Sequence, residues 1–259
     1  MTSPGIPLTL ASNDPKALPG STGSDFTITF PNPTNLGNLN WQVGLVGIYT
    51  AFSTPNVSAT LGNNRFAYSI DSGSSWKFIT FDTGNYTVDD LNLNIQREMR
   101  DNGDWDSVNK SFYISLEPNY ATNKVKLFID NASYQVDFSI ANNLASFLGF
   151  DEAVVTSTST GSTTADVTNG VSAWLVECDL TKKSYVNGEE SSVIFSFIPN
   201  VATNDYLEIT PNHVTYAQVS TERISSIRIR LTDQLGNVLD LNGENTTVFL
   251  EIKPFGTPQ

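Results

Sequence analysis

The sequence predicts an all-β protein, a jelly-roll β-sandwich with two short peripheral helices and extra strands and loops. Three observations predict it. Short apolar/polar alternations recur along the whole chain, the period-2 mark of half-buried strands. Clusters of Gly, Pro, Asn, Asp and Ser punctuate them at turn spacing. Thr, Val, Ile, Phe and Tyr, which suit a pleated and half-buried surface, fill the segments between.

Taken in order, residues 1–24 are rich in Pro, Gly and Ser and read as a loose segment with one strand at 6–10. Residues 25–30 set Phe26, Ile28 and Phe30 against Thr27 and Thr29. Residues 41–49 form a near-continuous apolar run, as expected of a central strand. Residues 65–70 and 76–81 flank a Ser/Gly turn and read as a hairpin. Thr87 and Asp90 form a capping box ahead of Val88, Leu91, Ile95 and Met99, which recur at helical spacing up to Asn102-Gly103. Phe112, Ile114 and Leu116 alternate, as do Val125, Leu127 and Ile129, and a further strand spans 134–138. A second helix is expected from Ser139, with Ile140, Leu144, Phe147 and Leu148 on its apolar face and Gly149 as its stop. Thr156 to Thr164 is almost entirely Thr and Ser, so 151–172 reads as an exposed, mobile low-complexity loop. Beyond it Trp174, Val176, Cys178 and Leu180 share one face. Val193, Phe195 and Phe197 share another, and Leu207 and Ile209 mark a short strand. Ile227, Ile229 and Leu231 oppose Arg228 and Arg230, and Val248, Leu250 and Ile252 oppose Glu251 and Lys253. The tail, 254–259, reads as loose. We find no internal repeat and expect a single elaborated domain over 1–259. Its core should hold Phe26, Ile28, Phe30, Val43, Leu45, Ile114, Leu127, Phe138, Val176, Phe195, Ile229 and Leu250.

Composition narrows the function classes. With 14 basic against 27 acidic residues the net charge is -13, so a broad phosphate-binding face is excluded and no direct nucleic-acid contact is expected. No apolar run approaches the length that spans a membrane. The start of the chain lacks the pattern of a signal peptide, and the single Cys178 allows no internal disulfide, so folding in a reducing compartment is expected. The sequons at Asn56, Asn85, Asn109, Asn131 and Asn245 are then read as unmodified. At 16%, charged residues are sparse, which suits a protein that hides surface in contacts.

Catalytic chemistry finds little support. His213 is the only histidine, so any Ser–His or Cys–His site must use it, and no nucleophile motif surrounds it. Cys178 lies on an apolar strand face, where a thiol is inert. One Cys and one His cannot build a zinc site. The acidic loop 101–106 lacks the glycine and glutamate of a calcium loop and reads as a solvated turn. Glu177 and Asp179 fall on one side of one strand and read as its solvent face. Trp76 and Trp105 are aromatics able to stack on sugars, or else loop anchors. No catalytic residue, cofactor or metal ligand is therefore assigned. Arg223, Arg228 and Arg230 form a small basic cluster that fits either contacts between subunits or cross-strand pairing within one sheet.

Several stretches, in order, resemble one family. They are Trp41-Gln-Val-Gly-Leu-Val-Gly-Ile-Tyr49; Gly84-Asn-Tyr-Thr-Val-Asp-Asp-Leu91; Phe138 to Phe150, ending Leu-Gly-Phe; Val176-Glu-Cys-Asp-Leu-Thr181 followed by Tyr185-Val-Asn-Gly188; and Ile227 to Gly243 running into Val248-Phe-Leu-Glu-Ile252. Over roughly 39–253 the chain resembles the minor capsid (penton) proteins of Polinton-like viruses and virophages. Glu251-Ile-Lys253 departs from that family's more basic closing pattern. The resemblance implies a jelly roll that forms homopentamers at icosahedral vertices, among capsomers of a double jelly-roll major capsid protein. It implies assembly in the host cell interior, a place in the virion, and no enzymatic activity. A capsid cement or spike-base protein, and a carbohydrate-binding jelly-roll module, are the alternatives.

Overall fold

In the computed structural model, residues 5–37, 40–181, 184–202 and 204–255 are described. In chain order the elements are β1 (Ile6–Ala11), β2 (Asp25–Asn35), β3 (Trp41–Ala51), β4 (Arg65–Ser69), β5 (Lys77–Thr80), α1 (Val88–Asp101), β6 (Ile114–Asn119), β7 (Lys124–Ile129), β8 (Gln135–Asp137) and α2 (Ala145–Leu148). There follow β9 (Val154–Val155), β10 (Ser159–Thr160), β11 (Trp174–Cys178), β12 (Ser184–Val186), β13 (Glu189–Ser191), β14 (Val193–Phe197), β15 (Tyr206–Ile209), β16 (Tyr216–Gln218), β17 (Arg223–Asp233) and β18 (Thr247–Pro254). Where the sequence suggested one elaborated domain, the chain divides into two compact units: Pro55–Gly170, and the residues on either side of it.

The unit formed by the residues on either side of Pro55–Gly170 is a jelly roll, and its strand order establishes this. One sheet runs β1-β18-β3-β15, with β16 also on β3, and the other runs β14-β11-β17-β2, all antiparallel. Each sheet thus interleaves strands from both halves of the chain, as two nested Greek keys require. The alternation seen in the sequence turns Val43, Leu45 and Ile48 of one sheet, and Phe26, Val176, Ile227 and Ile229 of the other, into one core. Trp174 is 1% exposed and meets Phe52 and Phe197 at ring-centroid distances of 5.9 and 5.8 Å. Phe30 and Phe195, expected in the core, only pack against its margin. Phe30 sits where the pairing of β2 with β17 shifts register, and Phe195 lies on an edge strand.

The second unit has its own core. Its sheets are β10-β7-β6 and β5-β4-β8-β9. Ile114, Leu127 and Phe138 belong here, together with Leu91, Ile95 and Met99 of α1. The helix begins as expected, with Thr87 accepting from the Asp90 N–H and the Asp90 carboxylate accepting from the Thr87 N–H. The second helix is far shorter than expected. Residues 139–144 turn instead, with Asn142 at φ 61°, and no side chain caps α2 at Leu144. Gly149 ends it in the left-handed region, at φ 77°.

Two segments expected to be loose are tied down. In 151–172 the side chains are largely exposed, but β9 pairs with β8 and β10 with β7. The Gly161, Thr163 and Ala165 N–H groups donate to Val125, Gly149 and Asn123 carbonyls at 2.9, 3.1 and 2.8 Å. A polar strap of this kind is held by backbone bonds, which composition does not reveal. Near the start of the chain, β1 pairs with β18 and Ala17 bridges Ile28. Of the expected loose tail, β18 includes Pro254, and the Phe255 N–H donates to the Asn40 carbonyl; 256–259 lie outside the described residues.

Candidate functional site

The arginines singled out in the sequence lie on β17, whose alternation points Ile227, Ile229 and Leu231 inward and leaves Arg228 and Arg230 on the outer face of the sheet. There the cross-strand register decides their partners. Arg230 stands opposite Asp25 of β2 and Glu177 of β11, and Arg228 opposite Thr27. Arg228 reaches diagonally and grips the Asp25 carboxylate with two bonds, Nε to Oδ1 at 2.8 Å and Nη2 to Oδ2 at 2.6 Å. Arg230 Nη1 donates to Glu177 Oε2 at 2.9 Å, and its Nε lies 4.0 Å from Asp25. Thr232 donates its hydroxyl to the other Glu177 oxygen at 3.1 Å. The result is a ladder of alternating charge, Arg228–Asp25–Arg230–Glu177, closed within one sheet. Arg228 is half exposed, so its pair contributes about 1 kcal/mol at most. Arg223 does not join it. Its side chain is exposed and forms no ion pair among the described residues.

The other candidate residues are placed by packing. Cys178 is 0% exposed, and burial pushes its thiol up to about 12, so it is not a nucleophile at neutral pH. His213 is exposed in a turn. Asp179 accepts the Arg228 backbone N–H at 2.9 Å. In the acidic loop, Asp104 is 6% exposed and is engaged by Lys77 Nζ at 2.6 and 2.8 Å and by the Tyr68 hydroxyl at 2.7 Å. Asp106 caps the next turn through the Val108 and Asn109 N–H groups. Trp105 stacks on Phe112 at 5.8 Å, with Arg100 and Lys110 at 5.7 and 5.2 Å from its ring, which makes it a loop anchor.

Sequence reasoning missed the outer face of the opposite sheet. Tyr49 meets Phe249 edge-on at 5.0 Å, and a bond to Glu208 pushes the Tyr49 hydroxyl up. Tyr216 donates to Glu251, and Lys253 Nζ sits 3.7 Å from the Tyr216 ring centre. Gly44 makes room for that segment: a Cβ there would lie 2.5 Å from Val214 Cγ1. The apolar run in β3 hid this face, because it reads as buried on both sides.

No protein-family model matches the chain, and no curated protein matches it in sequence. Among solved structures, the chain is similar to the penton protein of mavirus. That likeness covers 98% of this chain and 100% of the other, with a TM-score of 0.49 and 9% identity. The jelly-roll assignment rests on the strand order itself.

Proposed function

We propose that the chain is a structural capsid protein of the penton type. It forms homopentamers at icosahedral vertices, beside a double jelly-roll major capsid protein, and performs no catalysis. The observation that carries this reading is the eight-position jelly roll with a second compact unit inserted between β3 and β11. The ordered set of motifs from Trp41 to Ile252, similar to the penton proteins of Polinton-like viruses and virophages, supports it. The polar residues that chemistry would need are engaged structurally: Asp104 in a buried bridge, Glu177 in the charge ladder. A head-to-tail ring needs two different flanks on each subunit, which a sandwich with unlike edges provides.

The test is the mass of the purified full chain by light scattering, with negative-stain images, alone and mixed with the major capsid protein. Rings of five times the 28.3 kDa chain mass are expected. A trimer would replace this reading with the cement or spike-base alternative. A monomer under both conditions would remove assembly as the function.

A further inference from the structure

The hairpin β12–β13 pairs with no other strand among the described residues. It turns back at Asn187 and Gly188, both at positive φ, and the Asn187 side-chain amide donates to the Gln234 carbonyl at 3.2 Å. That bond ties its tip to the turn after β17, so the hairpin overhangs the outer face of the sheet at β11. Trp174, Val176 and Cys178 point into the core, so Leu175 and Glu177 point outward, toward the hairpin.

Two adjoining clefts result. One, of about 320 Å³, is lined by the apolar side chains of Leu175, Val186 and Leu235 and by the carboxylates of Glu177, Glu189 and Glu190. The other, of about 300 Å³, is lined by Asp179, Thr181 and Glu190, so the two share Glu190. No described residue lining either cleft is basic. Carboxylates elsewhere on the two sheets have partners: Asp25 and Glu177 meet arginines, Glu251 meets Tyr216 and Glu208 meets Tyr49. The Glu189 and Glu190 carboxylates take no hydrogen bond or ion pair among the described residues. Thr181 is 0% exposed, and its hydroxyl has no partner at all. A buried polar group left in that state is costly until a ligand satisfies it.

We propose that the two clefts hold one basic, partly apolar segment of a partner protein: a lysine or arginine beside Asp179, Thr181 and Glu190, and an apolar neighbour against Leu175, Val186 and Leu235. Charge chooses this occupant. An ammonium or guanidinium group carries donors only, which the Thr181 oxygen and the carboxylates accept. A metal ion fits less well, because no three His, Cys, Asp or Glu are placed to hold one among the described residues. A second copy fits less well too: at a net charge of -13 two copies repel, whereas a basic partner is drawn in. The same sign turns nucleic acid away. The apolar lining selects a peptide over a simple amine. The site concerns a partner rather than the closing of a ring, so it stands or falls apart from the penton reading.

Fluorescence anisotropy tests this, with the full chain titrated into a labelled pentapeptide that alternates lysine with leucine, at physiological salt. Saturable binding is expected, about tenfold weaker for a lysine–serine peptide and absent for a glutamate–leucine one. Glu189→Gln together with Glu190→Gln should weaken it by about tenfold. Glu117→Gln together with Glu152→Gln, at exposed carboxylates of the other unit, removes as much charge and should leave it unchanged. Leu235→Ser, at a side chain 74% exposed, should abolish the preference for leucine over serine. All the exchanged side chains are exposed, so circular dichroism should show every variant folded as wild type. Equal losses in the two glutamate pairs would reduce the binding to net charge and overturn the site, as would no saturable binding. Calcium binding, or self-association, that disappears with Glu189→Gln and Glu190→Gln would give the clefts to a metal or to a second copy and also overturn it. Fivefold rings that bind no peptide would overturn this site and leave the penton reading standing.

Discussion

Gly149→Ala is the sharpest probe of the strap that crosses the second unit. Gly149 sits at φ 77°, and a Cβ there would lie 2.5 Å from the Thr163 carbonyl oxygen, whose own residue donates its N–H to Gly149. Two costs follow. The left-handed backbone costs roughly 1–2 kcal/mol for a residue with a Cβ. The overlap with a bonded carbonyl adds about 1–3 kcal/mol of overpacking. Gly103 is a matched control: its φ is 76°, but nothing lies within 4 Å of its Cβ position, so only the first cost applies. Urea unfolding followed by circular dichroism should rank wild type above Gly103→Ala, and Gly103→Ala above Gly149→Ala by about 1–3 kcal/mol. Equal losses in the two variants would refute the reasoning. They would mean that residues 156–164 move aside freely and that the strap is not held.

Asp104→Ala removes the partner of Lys77 and leaves the buried Tyr68 hydroxyl with one fewer bond, so a loss of about 2–4 kcal/mol is expected in the same unfolding assay. A loss under about 1 kcal/mol would count against a structural role for that bridge. Cys178 should ignore a thiol reagent at pH 8 in the native protein and react fully once unfolded; fast native labelling would contradict its burial. Bonds from Ser75 and Ser69 hold the Asp71 carboxyl down at about 2. Its folded value is below the ordinary carboxylate value of about 4, so its contribution is present above that value and is lost as pH falls toward 2. Melting temperatures measured from pH 5 to pH 2 should therefore fall less steeply in Asp71→Asn than in wild type.

What the sequence made legible was local. The capping box at Thr87 and Asp90, the 65–81 hairpin and the inward faces of β11 and β17 follow from spacing within a few residues. Periodicity says that a residue faces a core but not which core, so Ile114 and Ile229 looked alike although they lie in different units. The Asp25 partner of Arg228 depends on β2 arriving beside β17 from some 200 residues away, a pairing that spacing along the chain does not encode. The Thr/Ser strap looked like a loop because many of its bonds are made by its backbone, to which side-chain composition is blind, and its side-chain bonds, such as Thr158 to Ile129, reach partners far along the chain.

The pairing of β1 with β18 has a temporal side. Ile6 lies opposite Ile252, so β1 has no sheet neighbour until β18 has been made. The unit Pro55–Gly170 is contiguous and closes its sheets with strands less than 100 residues apart. Translation therefore favours an order in which the inserted unit matures while β1, β2 and β3 wait with apolar faces exposed. Sequence separations this long slow folding and lengthen exposure to aggregation. Expression yield should then hinge on how the nascent β1–β3 segment is shielded, and far less on the stability of the finished sandwich.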